Sequence, residues 1–226
     1  LESLIHAGTE NEVKVVVNSI HSEYLDKENI SKNLRQLDGI IVAPGFGQRG
    51  LDGKILAVEY ARVNKIPFLG ICLGMQMAVI EYARNVKKIR YANSTEISEK
   101  CKDPVIDLMT SQKEIINKGG TMRLGAWDCE IEKNTKSYKC YKKKLISERH
   151  RHRYEFNNNY TDRIFDDKFV IAGSNPDTKL VEIVENIDHP WFVGVQFHPE
   201  YKSSVYNPHP IFVNFVKASL KKYLNK

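Results

Sequence analysis

The chain has 226 residues, 42% of them hydrophobic, and a formal net charge of +6 at pH 7. That length and apolar content suffice for one substantial core, so a single α/β domain over residues 1–226 is predicted. No apolar run reaches the roughly 18 residues of a membrane-spanning helix, and the N-terminal residues do not resemble a signal peptide, so a membrane protein is not expected.

The positive charge and the cysteines restrict the possible functions further. Much of the charge lies in two groups of lysines, Lys139 with Lys142–Lys144 and Lys221, Lys222 and Lys226, which is typical of solvated faces; nucleic-acid binding remains the alternative. The four cysteines have no metal-ligand spacing, so a reduced, cytoplasmic protein without a metal site is expected.

Strand-like and helical segments alternate in the first half of the chain. This order predicts a parallel sheet with helices on both faces. The first segment, Ser3–His6, has the character of a helix end rather than of the strand that normally opens such a fold, so the chain is expected to begin inside a longer polypeptide. The predicted strands are Val13–Ile20, Gly39–Ala43 and Pro67–Cys72, and the predicted helices are Gly53–Asn64 and Met75–Val86.

The second half is rich in β-forming residues separated by turn signals. It predicts antiparallel additions, so the whole sheet is expected to be mixed but mostly parallel. A C-terminal amphipathic helix is predicted over Pro210–Leu224. The predicted strands are Leu124–Glu132, Leu145–Phe156, Phe169–Ser174, Leu180–Glu185 and Phe192–Phe197.

Cys72 lies between two glycines, in the segment Gly70-Ile71-Cys72-Leu73-Gly74, where an apolar strand meets a helix. A sharp turn from strand to helix requires strained backbone angles, and flanking glycines relieve the steric conflict. The N–H groups at a helix start favour a thiolate over a thiol. The segment therefore predicts a nucleophile whose sulfur projects into a cleft, with a buried core cysteine as the alternative.

A histidine and a carboxylate follow far along the chain, in Gln196-Phe197-His198-Pro199-Glu200. Read as the end of a strand, this segment directs His198 and Glu200 to one face, because residues two apart on a strand point the same way. A catalytic histidine needs a partner for its second ring nitrogen, and Glu200 can supply it. Cys72, His198 and Glu200 are thus candidates for nucleophile, base and orienting acid; a surface ion pair is the alternative for the last two.

A glycine-rich loop, Ala43–Gly50, follows the second predicted strand. Its backbone N–H groups can bind an anion. A phosphate loop is one interpretation, although the Lys-Ser/Thr ending of that motif is absent. The preferred interpretation is an oxyanion hole formed by the N–H groups of Gly45 and Leu73.

These three motifs together resemble those of a class I glutamine amidotransferase domain. Two further motifs, Ala92–Glu96 and Glu148–Asn158, and the segment Gly119–Gly125 are similar to the glutaminase domain of the CTP synthase family, and the resemblance extends over essentially the whole chain. It implies a flavodoxin-like α/β fold. Pro44 stands where many members have the first glycine of the loop and offers no N–H, so Gly45 alone is expected to serve the oxyanion from this loop.

The resemblance also implies roles for individual residues. Cys72 would attack the side-chain amide of glutamine, with His198 and Glu200 completing a triad. Glutamine binding is expected at Gly45, Leu73, Gly74, Met75, Gln76, Glu96 and Arg153. Glu96 suits the α-ammonium group of glutamine and Arg153 its α-carboxylate. The alternatives are the glutaminase subunit of another amidotransferase, a γ-glutamyl peptidase and a catalytically silent binding module.

The resemblance implies partners outside the chain. Ammonia would pass to a synthetase domain of the same polypeptide that uses ATP and Mg²⁺ to convert UTP to CTP, and the full-length protein is expected to be a homo-oligomer. No cofactor is expected within the 226 residues, while GTP would be an activator responding through residues 46–53. His150 and His152 share one strand face and could bind a metal, but no third ligand accompanies them.

Overall fold

The computed structural model describes residues 1–108 and 122–226. Within them, seven strands form one sheet. From one edge to the other, the order is β1 (Ile40–Val42), β2 (Phe68–Ile71), β10 (Phe192–Val195), β9 (Val181–Asn186), β8 (Phe169–Ser174), β5 (Arg123–Ile131) and β6 (Leu145–His152).

The sheet is mixed, as predicted, but the prediction that it is mostly parallel is wrong, because most of its strand pairs are antiparallel. β2 pairs in parallel with both β1 and β10, whereas the other four neighbouring pairs are antiparallel. The connections explain the difference. A helix links β1 to β2, as a parallel crossover requires, while β8 and β9 are joined by a short turn that begins at Asn175 and allows only antiparallel pairing.

Helices cover both faces of the sheet, which confirms the predicted α/β architecture. On one face α3 (Leu51–Val63) packs against α4 (Leu73–Asn85), and on the other α1 (Glu2–Glu10) packs against α7 (Pro210–Leu224). Adjacent residues of β2 point to opposite faces, so Phe68 joins the core under α3 and α4 while Leu69 joins the core under α1 and α7. Three shorter helices complete the described part: α2 (Ile30–Leu34), α5 (Lys136–Tyr141) and α6 (Thr161–Ile164).

A second, three-stranded sheet consists of β3 (Ala92–Ser94), β4 (Asp103–Leu108) and β7 (Tyr154–Phe156). The predicted strand Leu145–Phe156 is therefore two strands in two different sheets, interrupted at Arg153. Along β6, alternate side chains are buried up to His152, and the chain then leaves the large sheet. This change of sheet brings Arg153 to the junction between the two sheets, where the candidate site lies.

The prediction of a strand at Val13–Ile20 is wrong. The segment forms no strand, and Val16 is 75% exposed. Val13–Val17 and β1 line the same apolar groove, together with Phe215 and Val216 of α7. A strand needs a partner backbone about 4.8 Å away to bond its N–H and C=O groups. The groove separates this segment from the edge of β1, so strand propensity alone is not sufficient there.

The longest helix in the described part of the chain, α7, has 15 residues, and none of the helices described is long and apolar enough to cross a bilayer.

Candidate active site

Cys72 occupies the corner between β2 and α4, as the glycine-flanked motif predicts. Its backbone angles are φ 52° and ψ −103°, a strained conformation for a residue with a side chain. The flanking glycines are needed for steric reasons. A Cβ at Gly70 would lie 2.6 Å from the carbonyl carbon of Gly74, and a Cβ at Gly74 would lie 2.1 Å from the backbone oxygen of Val42. Only glycine therefore allows α4 to begin so close to β1 and β2.

The sulfur of Cys72 is almost completely buried, with 2% of the residue exposed. Burial raises the pKa of its thiol to about 12, outweighing the N–H of Leu73, which lowers it; the charges of Glu200 and Glu96 raise it further. The helix-start N–H of Leu73 lowers the pKa of Cys72, as expected, but the desolvation of the anion outweighs it. The net effect favours the thiol over the thiolate, so thiolate formation at this site needs a base.

His198 and Glu200 form the predicted pair, with 2.6 Å between His198 Nδ1 and Glu200 Oε1. They do not lie on a strand, since β10 ends at Val195 and a 3₁₀ turn covers Pro199–Lys202. The His198 N–H donates to the carbonyl oxygen of Arg149 at 2.8 Å, which fixes the histidine to β6. His198 Nε2 is buried and has no hydrogen-bond partner among the described residues. Since Glu200 occupies Nδ1, Nε2 is the nitrogen that remains for proton transfer.

The carboxyl ends of the parallel strands β2 and β10 bring the candidate residues together. The N–H of Cys72 donates to the carbonyl oxygen of Val195 at 2.7 Å. The next residue, Gln196, donates from Nε2 to Cys72 Sγ at 3.6 Å. Sites in α/β proteins form at such strand ends. Cys72 therefore lies beside the segment that leads directly into His198 and Glu200.

A small pocket opens beside Cys72. Four residues predicted to bind glutamine line it with Cys72: Gly45, Gln76, Glu96 and Arg153. Phe46, His152 and Tyr154 also line it, and the sequence did not predict them to bind glutamine. The break between β6 and β7 explains how His152 and Tyr154 reach the pocket, because both flank Arg153. That break had no clear signal in the sequence.

The other residues predicted to bind glutamine do not direct side chains into the pocket. Leu73 and Met75 have their side chains in the core under α3 and α4, so only their backbone groups are available to a ligand. Gly74 lies against the backbone of Val42. Their roles in glutamine binding, like those of the other predicted residues, stay predictions.

Hydrogen bonds join the glycine-rich loop to Glu96. The N–H of Gly47 donates to Glu96 Oε1 at 2.9 Å, and Gln48 Nε2 donates to the carbonyl oxygen of Ile97 at 2.7 Å. The same loop also packs against the start of α4, since a Cβ placed on Gly45 would lie 3.3 Å from Leu73 Cδ2. The loop that contains Gly45 is thus held between the helix start and the residue expected to bind the α-ammonium group.

A buried cluster of charged residues lies behind the pocket. Arg123 is 3.2 Å from Glu155 and 2.7 Å from Glu182, measured between nitrogen and oxygen. His150 Nδ1 and His152 Nε2 are 2.8 Å apart. The metal interpretation of the two histidines gains no support, because the described residues contain no group of three or more His, Cys, Asp or Glu suited to a metal ion.

Of the predicted motif Gly119–Gly125, residues 119–121 lie outside the described residues.

Burial has opposite effects on the acids and histidines of this cluster. It raises the pKa of Glu155 and of Glu182 to about 7, although Arg123 opposes the shift. It lowers the pKa of His150 to about 2 and that of His152 to about 3, with the positive charge of Arg123 acting in the same direction. Both histidines are therefore neutral at pH 7.

These shifts predict how stability depends on pH. The raised acids contribute stability below pH 4.5 that is lost as pH rises through about 7. The depressed histidines contribute stability above pH 6.5 that is lost as pH falls toward about 3 and 2. The two effects oppose each other between pH 4.5 and 6.5, and below that range the histidines destabilise the fold.

We therefore expect His150→Phe to reduce the fall in thermal midpoint between pH 7 and pH 4, each variant being compared with itself at pH 7. The matched control is His21→Phe at an exposed position, which should leave the fall unchanged. Circular dichroism melts measure both. An equal fall in His150→Phe and in the unsubstituted protein would contradict this account.

Comparison with known proteins gives one consistent result. The family model described as "Glutamine amidotransferase class-I" matches residues 1–218. A "CTP synthase" of Flavobacterium johnsoniae is 60% identical over 220 residues, covering 97% of this chain and 41% of that protein. The chain thus spans about two fifths of the length of the curated relatives it matches.

Solved structures agree with this match. The Trypanosoma brucei structure described as "CTPS - glutaminase domain with bound acivicin" is 38% identical, has a TM-score of 0.91, and covers 97% of this chain and 86% of its own. A glutamine amidotransferase from Thermotoga maritima is 13% identical with a TM-score of 0.58, covering 100% of this chain and 93% of its own; this match shows the fold alone.

Proposed function

This chain belongs to the class-I glutamine amidotransferase family and, within it, to the glutaminase domains of CTP synthases, and we propose that it hydrolyses glutamine through Cys72, His198 and Glu200. The observation that carries the proposal is a strained cysteine, beside a pocket, that is hydrogen-bonded to the end of β10 from which the chain leads into a histidine–carboxylate pair. The arrangement has the parts of nucleophilic catalysis: nucleophile, base and orienting acid.

The first half of the reaction forms a thioester. His198 Nε2 takes the thiol proton of Cys72, and the sulfur attacks the carboxamide carbon of glutamine. The resulting oxyanion is stabilised by the N–H groups of Leu73 and Gly45. The C–N bond then breaks as His198 returns the proton to nitrogen, and ammonia leaves.

The second half releases glutamate. His198 takes a proton from water, and the hydroxide adds to the thioester carbon. The same N–H groups stabilise the second oxyanion. The C–S bond breaks, the sulfur recovers its proton from His198, and glutamate leaves. Glu200 holds the imidazole through Nδ1 in both halves and stabilises its positive charge after each proton transfer.

The pocket residues suit the two ends of a free amino acid. Glu96 provides a negative charge for the α-ammonium group, and Arg153 provides a positive charge for the α-carboxylate. Gln76 contributes an amide, and the backbone of Gly74 and Met75 completes the site. A zwitterion needs both charges close together, and a peptide bond at either end of the substrate would remove one of them. This favours free glutamine over a glutamine residue within a peptide chain.

The consumer of the ammonia lies in the part of the relatives that this chain does not cover. We propose that a synthetase domain of the same polypeptide uses it, with ATP and Mg²⁺, to aminate UTP to CTP. GTP activation and homo-oligomer formation belong to the same proposal for the whole protein. Residues 46–53, which contact Glu96 through Gly47, are where such activation would reach this domain.

Covalent labelling tests nucleophile and substrate together. A diazo-ketone analogue of glutamine should add its mass to Cys72, and excess glutamine should slow the addition. Intact mass and peptide mapping identify the modified residue. Labelling of Cys101, Cys129 or Cys140 in place of Cys72 would contradict the assignment, as would addition that glutamine does not slow.

A further inference from the structure

Two glutamine side chains link the pocket to the sulfur of Cys72. Gln76 Nε2 donates to the carbonyl oxygen of Tyr154 at 2.9 Å and to Gln196 Oε1 at 3.3 Å. Gln196 Nε2 in turn donates to Cys72 Sγ at 3.6 Å. Gln196 is fully buried, with 0% of its surface exposed, so solvent cannot replace these contacts. None of the roles assigned above uses Gln196.

The orientation of the Gln196 amide follows from its neighbours. Gln76 Nε2 carries two hydrogens, and its two acceptors are the Tyr154 carbonyl and the oxygen of Gln196. If the Gln196 amide were turned over, two NH₂ groups would face each other and a carbonyl oxygen would face the sulfur. Gln76 therefore holds the oxygen of Gln196, and the NH₂ group of Gln196 is directed at Cys72.

The backbone of Gln196 is held on both sides. Its N–H donates to the carbonyl oxygen of Glu182 at 2.8 Å, and the preceding carbonyl oxygen, of Val195, accepts from the N–H of Cys72 at 2.7 Å. The backbone of Gln196 is thus fixed to β9 on one side and to the cysteine corner on the other. The side chain of Gln196 is therefore held at its backbone end by these bonds and at its amide end by Gln76 and Cys72.

A donor at this place has a clear chemical use. The thiolate of Cys72 must form in a buried site where the negative charges of Glu200 and Glu96 repel it. The N–H of Leu73 is one donor to the sulfur, and the Gln196 amide is another. Hydrogen bonds to an ionised acceptor are stronger than bonds to a neutral one, so both donors favour the thiolate over the thiol.

We propose that Gln196 is a positioning residue that orients the sulfur of Cys72 and stabilises its thiolate, and that Gln76 holds Gln196 in that orientation. The catalytic part of this inference rests on the proposed function. The effect of the Gln196 contact on the reactivity of Cys72 can be measured without glutamine.

The test uses two replacements of similar size, Gln196→Met and Gln196→Glu. Methionine removes the donor, and glutamate replaces it with an acceptor that is negative when ionised. The rate of iodoacetamide addition at Cys72, followed by peptide mapping at pH 9, reports the thiolate fraction. We expect Gln196→Met to react about tenfold more slowly than the unsubstituted protein, since one hydrogen bond to a charged group is lost. Gln196→Glu should be slower still.

Glutaminase kinetics give a second measurement. The kcat of Gln196→Met should fall about 10- to 100-fold while KM changes little, because the lost contact stabilises the attacking sulfur rather than bound glutamine. The same two replacements at Gln36, an exposed glutamine remote from Cys72, are the matched controls and should change neither rate. Thermal melts select the variants that fold, and either Gln196 variant alone suffices for the comparison.

Equal alkylation of Cys72 in the unsubstituted protein and in a folded Gln196 variant would overturn the inference. So would a Gln196→Glu variant that reacts faster than Gln196→Met, because packing and not the donated hydrogen would then control the rate. If the unsubstituted protein released no ammonia from glutamine, the proposed function would fail while the alkylation comparison would still decide the role of Gln196.

Discussion

Replacing Cys72 with alanine should reduce ammonia release from glutamine by at least about 10³-fold in kcat, because no other group can form the thioester. Alanine keeps the Cβ atom at the strained corner, where φ is 52°, so the replacement adds no backbone conflict to the one already present. The fold should therefore survive, and circular dichroism melts can verify it. The measurement is glutamate formation in a coupled assay with the purified protein.

Cys101→Ala is the matched control for this prediction. Cys101 is a free, partly exposed cysteine that does not line the pocket beside Cys72, and its replacement should leave kcat within about twofold. Turnover by Cys72→Ala close to that of the unsubstituted protein would refute covalent catalysis at this site. Cys72→Ser should also be nearly inactive, since an alcohol is a much weaker nucleophile than a thiolate.

Replacing His198 with alanine should lower kcat about 10²- to 10⁴-fold, the range expected for loss of a general acid–base group. The resting thiol makes this dependence strong. Burial raises the pKa of Cys72 to about 12, so almost no thiolate exists at neutral pH unless a base removes the proton. Steady-state assays of His198→Ala should show the loss in kcat and in kcat/KM alike, because the base acts in the chemical steps.

His152 is the rival base, because it lines the pocket beside Cys72. Its surroundings make it unsuitable. Burial and Arg123 lower the pKa of His152 to about 3, so its imidazolium would be unstable, and its Nε2 is already engaged by His150 at 2.8 Å. His198 has instead a carboxylate 2.6 Å from Nδ1, which stabilises the protonated ring. A His198→Ala variant with unreduced turnover would transfer the role to His152.

Glu200→Gln separates charge from orientation in the same pair. The amide keeps the size of the side chain and an oxygen that can accept from His198 Nδ1, but it removes the negative charge. We expect an intermediate loss, of about 10-fold or more, between the unsubstituted protein and His198→Ala. His21→Ala, at an exposed histidine, is the control and should retain full activity.

Local patterns predicted the cysteine corner correctly because every requirement of that corner is local. The glycines at 70 and 74 relieve contacts within a few residues, and the apolar runs on either side specify a strand and a helix. The pairing of His198 with Glu200 could also be predicted, although the two residues lie on a turn and not on a strand. A separation of two residues keeps them close in either conformation.

Contacts distant in the sequence decided what the local patterns could not. Val13–Ile20 has the composition of a strand but pairs with none of the described strands. Leu145–Phe156 has strand character throughout, yet it divides between two sheets because β5 pairs with its first part and β4 with its last. Neither outcome is encoded within the segment itself, since strand pairing depends on what the rest of the chain places beside it.

The sequence by itself determined the α/β class, the order of most elements, the cysteine corner and the close pairing of His198 with Glu200. The tertiary structure decided the direction in which the pKa of Cys72 shifts and which residues line the pocket. Desolvation depends on everything packed around the sulfur. The N–H of Leu73 at the helix start lowers the pKa of Cys72, but burial of the sulfur raises it by more. Gln196 owes its contact with Cys72 to the same packing, because strands β2 and β10 are neighbours in the sheet although 124 residues separate the two side chains.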